Sequence, residues 1–386
     1  MLLLRRRFTY WSRQGVPGPK YIEYRGFTNV HHEHTLEAVN KYGKVYGAYS
    51  FTGTHLVLNE PDLLRDVMVK DFHVFPNHKI FHLGSSKIDQ SLFFLPGDDN
   101  WRRVRSILSP VFTSGKLRAM LGHIGGISDG LVENLSQFEK KGESVDMRKY
   151  VGAFAMDVIS ACAYGIDVKS IDNPNHPVVT NASKILNADA AKRRTDFIQL
   201  MIDSEKSDKE LGYYSGSEPE VDDESIGGQL PKKVVGTLTP DEMVAQGLLF
   251  FIAGYDTTSA AITHALYYLS EHKDCQQKLY EELRTCDEFT YEKLSQLKYL
   301  NAVLSETLRL APSLTRVQRE CLQDYKLGNT GITVPKGATV EILPYALHRQ
   351  ADLWPNPNDF IPDRFLNPVH HPYAYIPFGG GPRLCI

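Results

Sequence analysis

One segment constrains this chain's fold more than any other: Thr239 to about Glu271 reads as a single long helix, apolar almost all round. It opens on Thr239-Pro240-Asp241-Glu242, a capping box with Thr at the cap, Pro at the first helical position and Glu three residues on. A helix without a polar face belongs in a core, and at ~1.5 Å per residue this one crosses a domain end to end. A second helix spans about Lys298 to Leu310 and stops before Pro312. Trp101 to Ser109 sets charges on one face and Val104, Ile107 and Leu108 on the other, an amphipathic helix. Val45 to Leu58 reads as a hairpin, Pro61 to Val69 as a short helix, and residues 324–343 as short strands punctuated by Gly and Pro. Residues 144–202 are helical in pattern, and the tail from Trp354 is irregular but packed. The fold class is therefore mainly α with small β-sheets.

The chain has 386 residues, 42% apolar and 23% charged, enough to bury a sizeable core. A net charge of −3 shows no nucleic-acid footprint. Five cysteines (Cys162, Cys275, Cys286, Cys321, Cys385) without any C-x-x-C pair argue against a disulfide framework or a zinc site and suit a reducing compartment. Residues 204–238 carry a run of acids with Ser, Gly and Pro and no periodicity, which reads as a solvated, disordered loop. The lead-in, residues 1–20, holds a short apolar run, Arg5-Arg6-Arg7, Trp11 and the turn Val16-Pro17-Gly18-Pro19. It is too short to span a bilayer. Two readings fit it: the cytosolic edge of a membrane anchor, or a frayed, solvated terminus. His31-His32-Glu33-His34 and His370-His371 are expected to be surface histidines.

Chemistry concentrates in three places. Phe378-Gly379-Gly380-Gly381-Pro382-Arg383-Leu384-Cys385 sets one cysteine behind three glycines, a proline and an arginine. A loop that bends tightly under a flat cofactor and presents a thiolate needs this composition, and a thiolate is an axial ligand that lets haem iron cleave dioxygen. A Gly/Pro turn that merely contains a cysteine fits equally. In the long helix, Ala253-Gly254-Tyr255-Asp256-Thr257 places a glycine where it costs ~1 kcal/mol relative to alanine. Ala253 and Thr257 share a face beside it, and Asp256 supplies a proton source. A buried hydroxyl and carboxylate there would suit proton delivery; a back-bonded threonine that bends the helix is the ordinary alternative. Glu306 and Arg309, at i, i+3, look like a solvated surface pair, unless Arg364 of Pro362-Asp363-Arg364-Phe365 completes a buried cluster. Trp101 and Arg105 share a helical face and suit a planar ligand's carboxylate.

Taken in this order, Trp101-x-x-x-Arg105, Ala253-Gly254-x-Asp256-Thr257, Glu306-x-x-Arg309, Pro362-x-Arg364-Phe365 and Phe378-x-x-Gly381-x-Arg383-x-Cys385 resemble the cytochrome P-450 family of haem-thiolate monooxygenases. Within it, Lys41 to Val45, Trp101 to Leu117, Asp196 to Asp203 and Tyr345 to Arg349 look like the microsomal drug and xenobiotic oxidases of animals. The resemblance implies the P-450 fold, with residues 21–386 as one haem-binding domain. It implies haem b with Cys385 as metal ligand, and Trp101, Arg105, Arg319 and Arg383 on the propionates. Ala253, Gly254 and Phe378 would contact the cofactor, Asp256 and Thr257 would manage protons, and Glu306, Arg309 and Arg364 would hold the core together. Phe94, Ile252, Ala253 and Leu314 would touch substrate.

The implied partners are O₂, a lipophilic small molecule (xenobiotic, steroid or fatty-acid-like), an NADPH-dependent flavoprotein reductase and a membrane surface, at the cytosolic face of the endoplasmic reticulum. Arg102, Arg103, Lys116 and Arg118 are expected to form a basic patch for the reductase, or else a solvated helix face. Two departures from the family point to an incomplete sequence. The helices that roof the substrate cavity are abbreviated between Leu186 and Lys192, and the chain ends one residue after Cys385. A non-catalytic product with little or no haem, and a haem-thiolate isomerase, are the competing readings.

Overall fold

The computed structural model describes residues 9–19, 31–50, 53–79, 87–170 and 236–386. The Asp196 to Asp203 stretch and residues 204–235 of the acidic segment lie outside them. In chain order the elements are α1 (His31–Tyr42), β1 (Val45–Ser50), β2 (Gly53–Leu58), α2 (Pro61–Arg65), α3 (Asp99–Leu108), α4 (Ser114–Lys141), α5 (Met147–Tyr164), α6 (Pro240–Glu271), α7 (Lys273–Arg284), α8 (Tyr291–Gln296), α9 (Lys298–Leu310), β3 (Val317–Glu320), β4 (Tyr325–Lys326), β5 (Thr333–Val334) and β6 (Thr339–Ile342). They fall into two units. Of the described residues, a sheet unit takes those up to residue 79 and 305–385, and a helical unit takes 87–170 and 236–304.

In the sheet unit four strands run in the order β1-β2-β6-β3. The expected hairpin pairs Val45 with Leu58 and Ser50 with Gly53; β2 and β6 are parallel, and β6 and β3 antiparallel. Alternation along each strand sends Leu56, Leu58, Val317, Val340 and Ile342 into one core with Val67, Met68 and Phe75. Tyr46, Ala48 and Val57 go to the other face, against Val39 of α1. β4 and β5 form a separate ribbon. The short helix expected from Pro61 stops at Arg65 and widens into a π-helical turn, Asp66–Lys70.

In its described part, residues 9–19, the lead-in is not the frayed, solvated terminus that one of its two readings expected. Trp11 is only 1% exposed, so close to Gly47 that a Cβ there would sit 2.1 Å from the indole. Gln14 bonds Thr333 through both ends of its amide, at 3.1 and 2.8 Å. Residues 9–19 are thus a packed strap. His31-His32-Glu33-His34 starts α1, with His32 and His34 half-buried and Glu33 exposed. Among the described residues no helix is long and apolar enough to cross a membrane, and no His/Cys/Asp/Glu group is placed to hold a metal ion.

In the helical unit α6 carries its capping box as expected: Thr239 Oγ1 accepts the Glu242 N–H at 3.2 Å and Glu242 Oε2 accepts the Thr239 N–H at 2.8 Å. α5 packs along α6 and α4 packs on α5. α6 is not covered on all sides, however; Ile252 and Tyr267 are each 56% exposed.

Candidate functional site

The Glu306–Arg309 pair is buried, not a surface bridge. Both side chains are fully inaccessible, and Arg309 Nε lies 2.6 Å from Glu306 Oε2. Arg309 uses all five of its N–H donors: two on Glu306 and one each on the carbonyls of His348 (2.7 Å), Pro357 (2.7 Å) and Asp359 (3.1 Å). Glu306 also accepts from Arg364 Nε (3.1 Å) and the Ile361 N–H (2.8 Å). Saturation of the guanidinium fork is what makes a charge tolerable at zero exposure. The cluster ties α9 to the irregular tail.

From that cluster a contact runs to the glycine loop. His348, which sequence reasoning did not single out, is buried and keeps its ring neutral. Burial pushes its imidazole down to about 3. Nδ1–H donates to the Arg309 carbonyl at 3.1 Å and Nε2 accepts the Ile376 N–H at 3.0 Å, two residues before the loop. His370 is not solvent-facing as expected; it stacks on Trp354 with ring centroids 4.6 Å apart, and burial lowers its pKa.

The loop turns back on itself. The Cys385 N–H reaches the Phe378 carbonyl at 3.1 Å and the Leu384 N–H the Gly381 carbonyl at 2.8 Å. Gly379 and Gly381 have φ of +81° and +67°, and a Cβ on Gly381 would lie 2.0 Å from the Met68 carbonyl oxygen. Both the left-handed backbone and the close approach therefore demand glycine. The result presents Cys385 exposed, with Phe378 exposed beside it. None of the five cysteines forms a disulfide.

Beside the loop is an anion seat. Arg319 is fully buried; Nη1 donates to His78 Nδ1 and to the Gln318 carbonyl, both at 3.0 Å. Its Nε is buried with no acceptor, and among the described residues no carboxylate ion-pairs with it. Burial draws its pKa down to about 10. Arg383 Nε donates to the Pro76 carbonyl at 2.9 Å. Burial, then the charges of Arg319 and Arg383, holds His78 neutral. Two guanidiniums around a neutral imidazole, one with an unused buried donor, form a site suited to a negative group. A haem propionate fits that donor set, and the exposed thiol two residues from Arg383 fits the iron. His78 and the Pro76 carbonyl carry no motif; only their packing against Arg319 and Arg383 identifies them. Leu314, also of this unit, is 43% exposed.

The helical unit holds the other expected residues. On α6, Gly254 lies against α5, where a Cβ would meet Ile159 Cδ1 at 3.0 Å; Gly152 of α5 reciprocates against Tyr255. This helix–helix approach is what offsets the glycine's cost. It leaves Ile252, Ala253 and Asp256 exposed together, so the Asp256 carboxylate is not buried as expected. Thr257 Oγ1 donates to the Ala253 carbonyl at 2.5 Å, the back-bonded geometry.

Gln246, buried about two turns before Ala253, accepts the Leu92 N–H at 2.8 Å and donates to the Gln90 carbonyl at 3.0 Å. It thereby fixes the segment carrying Phe94 along α6. A lone polar residue inside an apolar helix was its available signal. α3, with Trp101 buried and Arg105 half-buried one turn on, is held to the start of α6 by Arg103, which bonds Glu242 and the Thr237 carbonyl. Arg102 pairs with Asp99 at 2.6 Å and Arg118 with Glu292 at 2.6 Å. Three of the four cations expected to form a basic patch are therefore engaged within the chain.

A family model described as cytochrome P450 matches residues 20–209 and 189–386. Cytochrome P450 3A29 of Sus scrofa is 34% identical, with 97% of this chain and 82% of that protein aligned. Cytochrome P450 3A11 of Mus musculus is 32% identical over 99% and 83%, and cytochrome P450 3A5 of Homo sapiens 33% over 97% and 82%. The pig alignment runs to 437 positions against a chain of 386, so that relative carries segments with no counterpart here.

Proposed function

The chain belongs to the cytochrome P450 family, and from that premise we propose that it inserts one oxygen atom of O₂ into a lipophilic small molecule, with electrons from NADPH delivered by a flavoprotein reductase. The family works with haem b on a cysteine thiolate and catalyses haem-dependent oxidation. When bound, the haem supplies dioxygen activation; this chain's residues do the rest.

Cys385 holds the metal as thiolate. Arg319 and Arg383 neutralise the propionates, and the motif assigns Trp101 and Arg105 the same task. Ala253, exposed, would present little side-chain bulk to the cofactor, Gly254 being taken up by its packing against α5, and Phe378, exposed beside Cys385, would contact it. Thr257, its proton committed to the Ala253 carbonyl, keeps a lone pair to accept from water. Asp256, exposed one residue away, would relay protons between solvent and that water. Ile252 and Leu314, exposed, and Phe94, half-buried, offer apolar contact to substrate. Glu306, Arg309 and Arg364 act on structure, not on the reaction.

We read residues 21–386 as one haem-binding domain working at the cytosolic face of the endoplasmic reticulum. The observation that carries the proposal is the buried Arg319–His78–Arg383 seat adjoining the Cys385 loop. The test is NADPH consumption by the haem-loaded protein with added reductase. Consumption that rises with a lipophilic substrate, with oxygenated product, supports it. Rearranged product without NADPH use indicates an isomerase, and no turnover with no bound haem a non-catalytic product.

A further inference from the structure

A row of polar side chains crosses one face of the four-stranded sheet. In the pairing register Ser50 lies diagonal to His55, His55 is opposite Thr339, and Glu341 is opposite Gln318. The two-residue period of a strand then puts Ser50, His55, Glu341 and Gln318 on the same side. Their atoms meet in sequence. Ser50 Oγ is 2.6 Å from His55 Nε2, and His55 Nδ1 is 2.9 Å from Glu341 Oε1. Gln318 Nε2 donates to the same carboxylate oxygen at 2.8 Å, and Arg316 Nη1 stands 3.5 Å from it.

We propose that Ser50, His55 and Glu341 form a second catalytic centre, a serine–histidine–glutamate relay that cleaves small carboxylic esters. The roles follow from the contacts. The carboxylate fixes the tautomer with hydrogen on Nδ1, which leaves Nε2 as the base facing the hydroxyl. Exposure is graded as such a relay requires: Glu341 is 1% exposed, His55 4%, and Ser50 only half-buried at the end of the edge strand. The carboxyl stays below its ordinary range despite burial, because His55, Arg316 and Gln318 all favour its ionised form. Ser50 ends β1, the edge strand of the sheet, and is the most exposed of the three groups.

In the reaction Ser50 Oγ bonds to the ester carbonyl carbon and its proton passes to His55 Nε2. The carbon–alkoxy bond breaks, and the leaving alcohol takes that proton. Water, deprotonated by the same nitrogen, then releases the acid and restores the hydroxyl. Nothing in this cycle uses haem, NADPH or Cys385.

The experiment treats the full chain with a fluorophosphonate and maps the adduct by peptide mass spectrometry, alongside p-nitrophenyl acetate turnover. In labelling, the Oγ–P bond forms and fluoride leaves. We expect the adduct on Ser50, a fall in labelling rate of about 100-fold or more in His55→Gln, and loss of p-nitrophenyl acetate turnover in Ser50→Ala. An adduct confined to other residues, or equal labelling of Ser50 with and without His55, overturns the proposal and leaves the row a structural hydrogen-bond chain. Ser50→Ala removes one half-buried hydroxyl and keeps the test open should His55→Gln fail to fold.

Discussion

His348 Nε2 accepts the Ile376 N–H at 3.0 Å while its Nδ1–H holds the Arg309 carbonyl at 3.1 Å. One neutral ring thus joins the buried Glu306–Arg309–Arg364 cluster to the start of the Cys385 loop. The cluster is a positioning device, and its failure should show first in the fold.

Replacing Arg309 by Ala leaves the fully buried Glu306 carboxyl with only Arg364 and the Ile361 N–H as partners. We expect a loss of about 3–5 kcal/mol in unfolding free energy, read from denaturant midpoints. Arg309→Lys should recover little, since an ammonium has three donors for five acceptor atoms on four residues. A loss under 1 kcal/mol would mean the pair behaves as a surface bridge.

The ordinary imidazole pKa of 6.5 falls to about 3 for His348, so the folded ring stays neutral while the unfolded one protonates below 6.5. Its contribution is complete above pH 6.5 and is lost as pH falls through the window from 6.5 toward 3, at most ~1.4 kcal/mol per pH unit. His78, also held neutral, adds the same sign. Urea midpoints between pH 7 and 5 should therefore slope steeply, and His348→Gln should remove about one proton's worth of that slope.

Arg319→Met separates stability from cofactor binding. Without haem, removal of a buried cation with an unused donor should raise stability by about 1–3 kcal/mol. Haem affinity should drop tenfold or more, because a charge-assisted bond is lost. Apoprotein melts and haem titration check the two signs. A variant that weakens both, or neither, would contradict the seat's assignment.

Two neighbouring glycines should respond differently. Gly381→Ala drives a Cβ to 2.0 Å from the Met68 carbonyl oxygen, a clash with backbone, whereas at Gly379 nothing lies within 4 Å and only positive φ is offended. Gly379→Ala should cost about 1 kcal/mol with haem retained; Gly381→Ala should displace the loop and abolish haem binding, as absorbance will show.

These outcomes also mark what the sequence made legible. The Thr239 capping box, the β1–β2 hairpin and α9 are local patterns, and all three stand as read. α4 was not, because Gly122, Gly125, Gly126 and Gly130 erase helical propensity over its length; packing against α5 makes it a helix. Glu306 and Arg309 look like any surface pair at i, i+3. Their burial is decided by Ile361 and Arg364, more than fifty residues away in sequence. His78 and His348 carry no local pattern at all. Their roles exist only as contacts to Arg319, Arg309 and Ile376.

The central claim is that the Cys385 sulfur ligates the haem iron, and the spectrum of the reduced, carbon-monoxide-bound protein tests it most directly. The parent protein should give a strongly red-shifted Soret band, and Cys385→Ser should lose it while Ser50→Ala keeps it. A haem-loaded parent without that band, or a Cys385→Ser variant that retains it, would contradict the account.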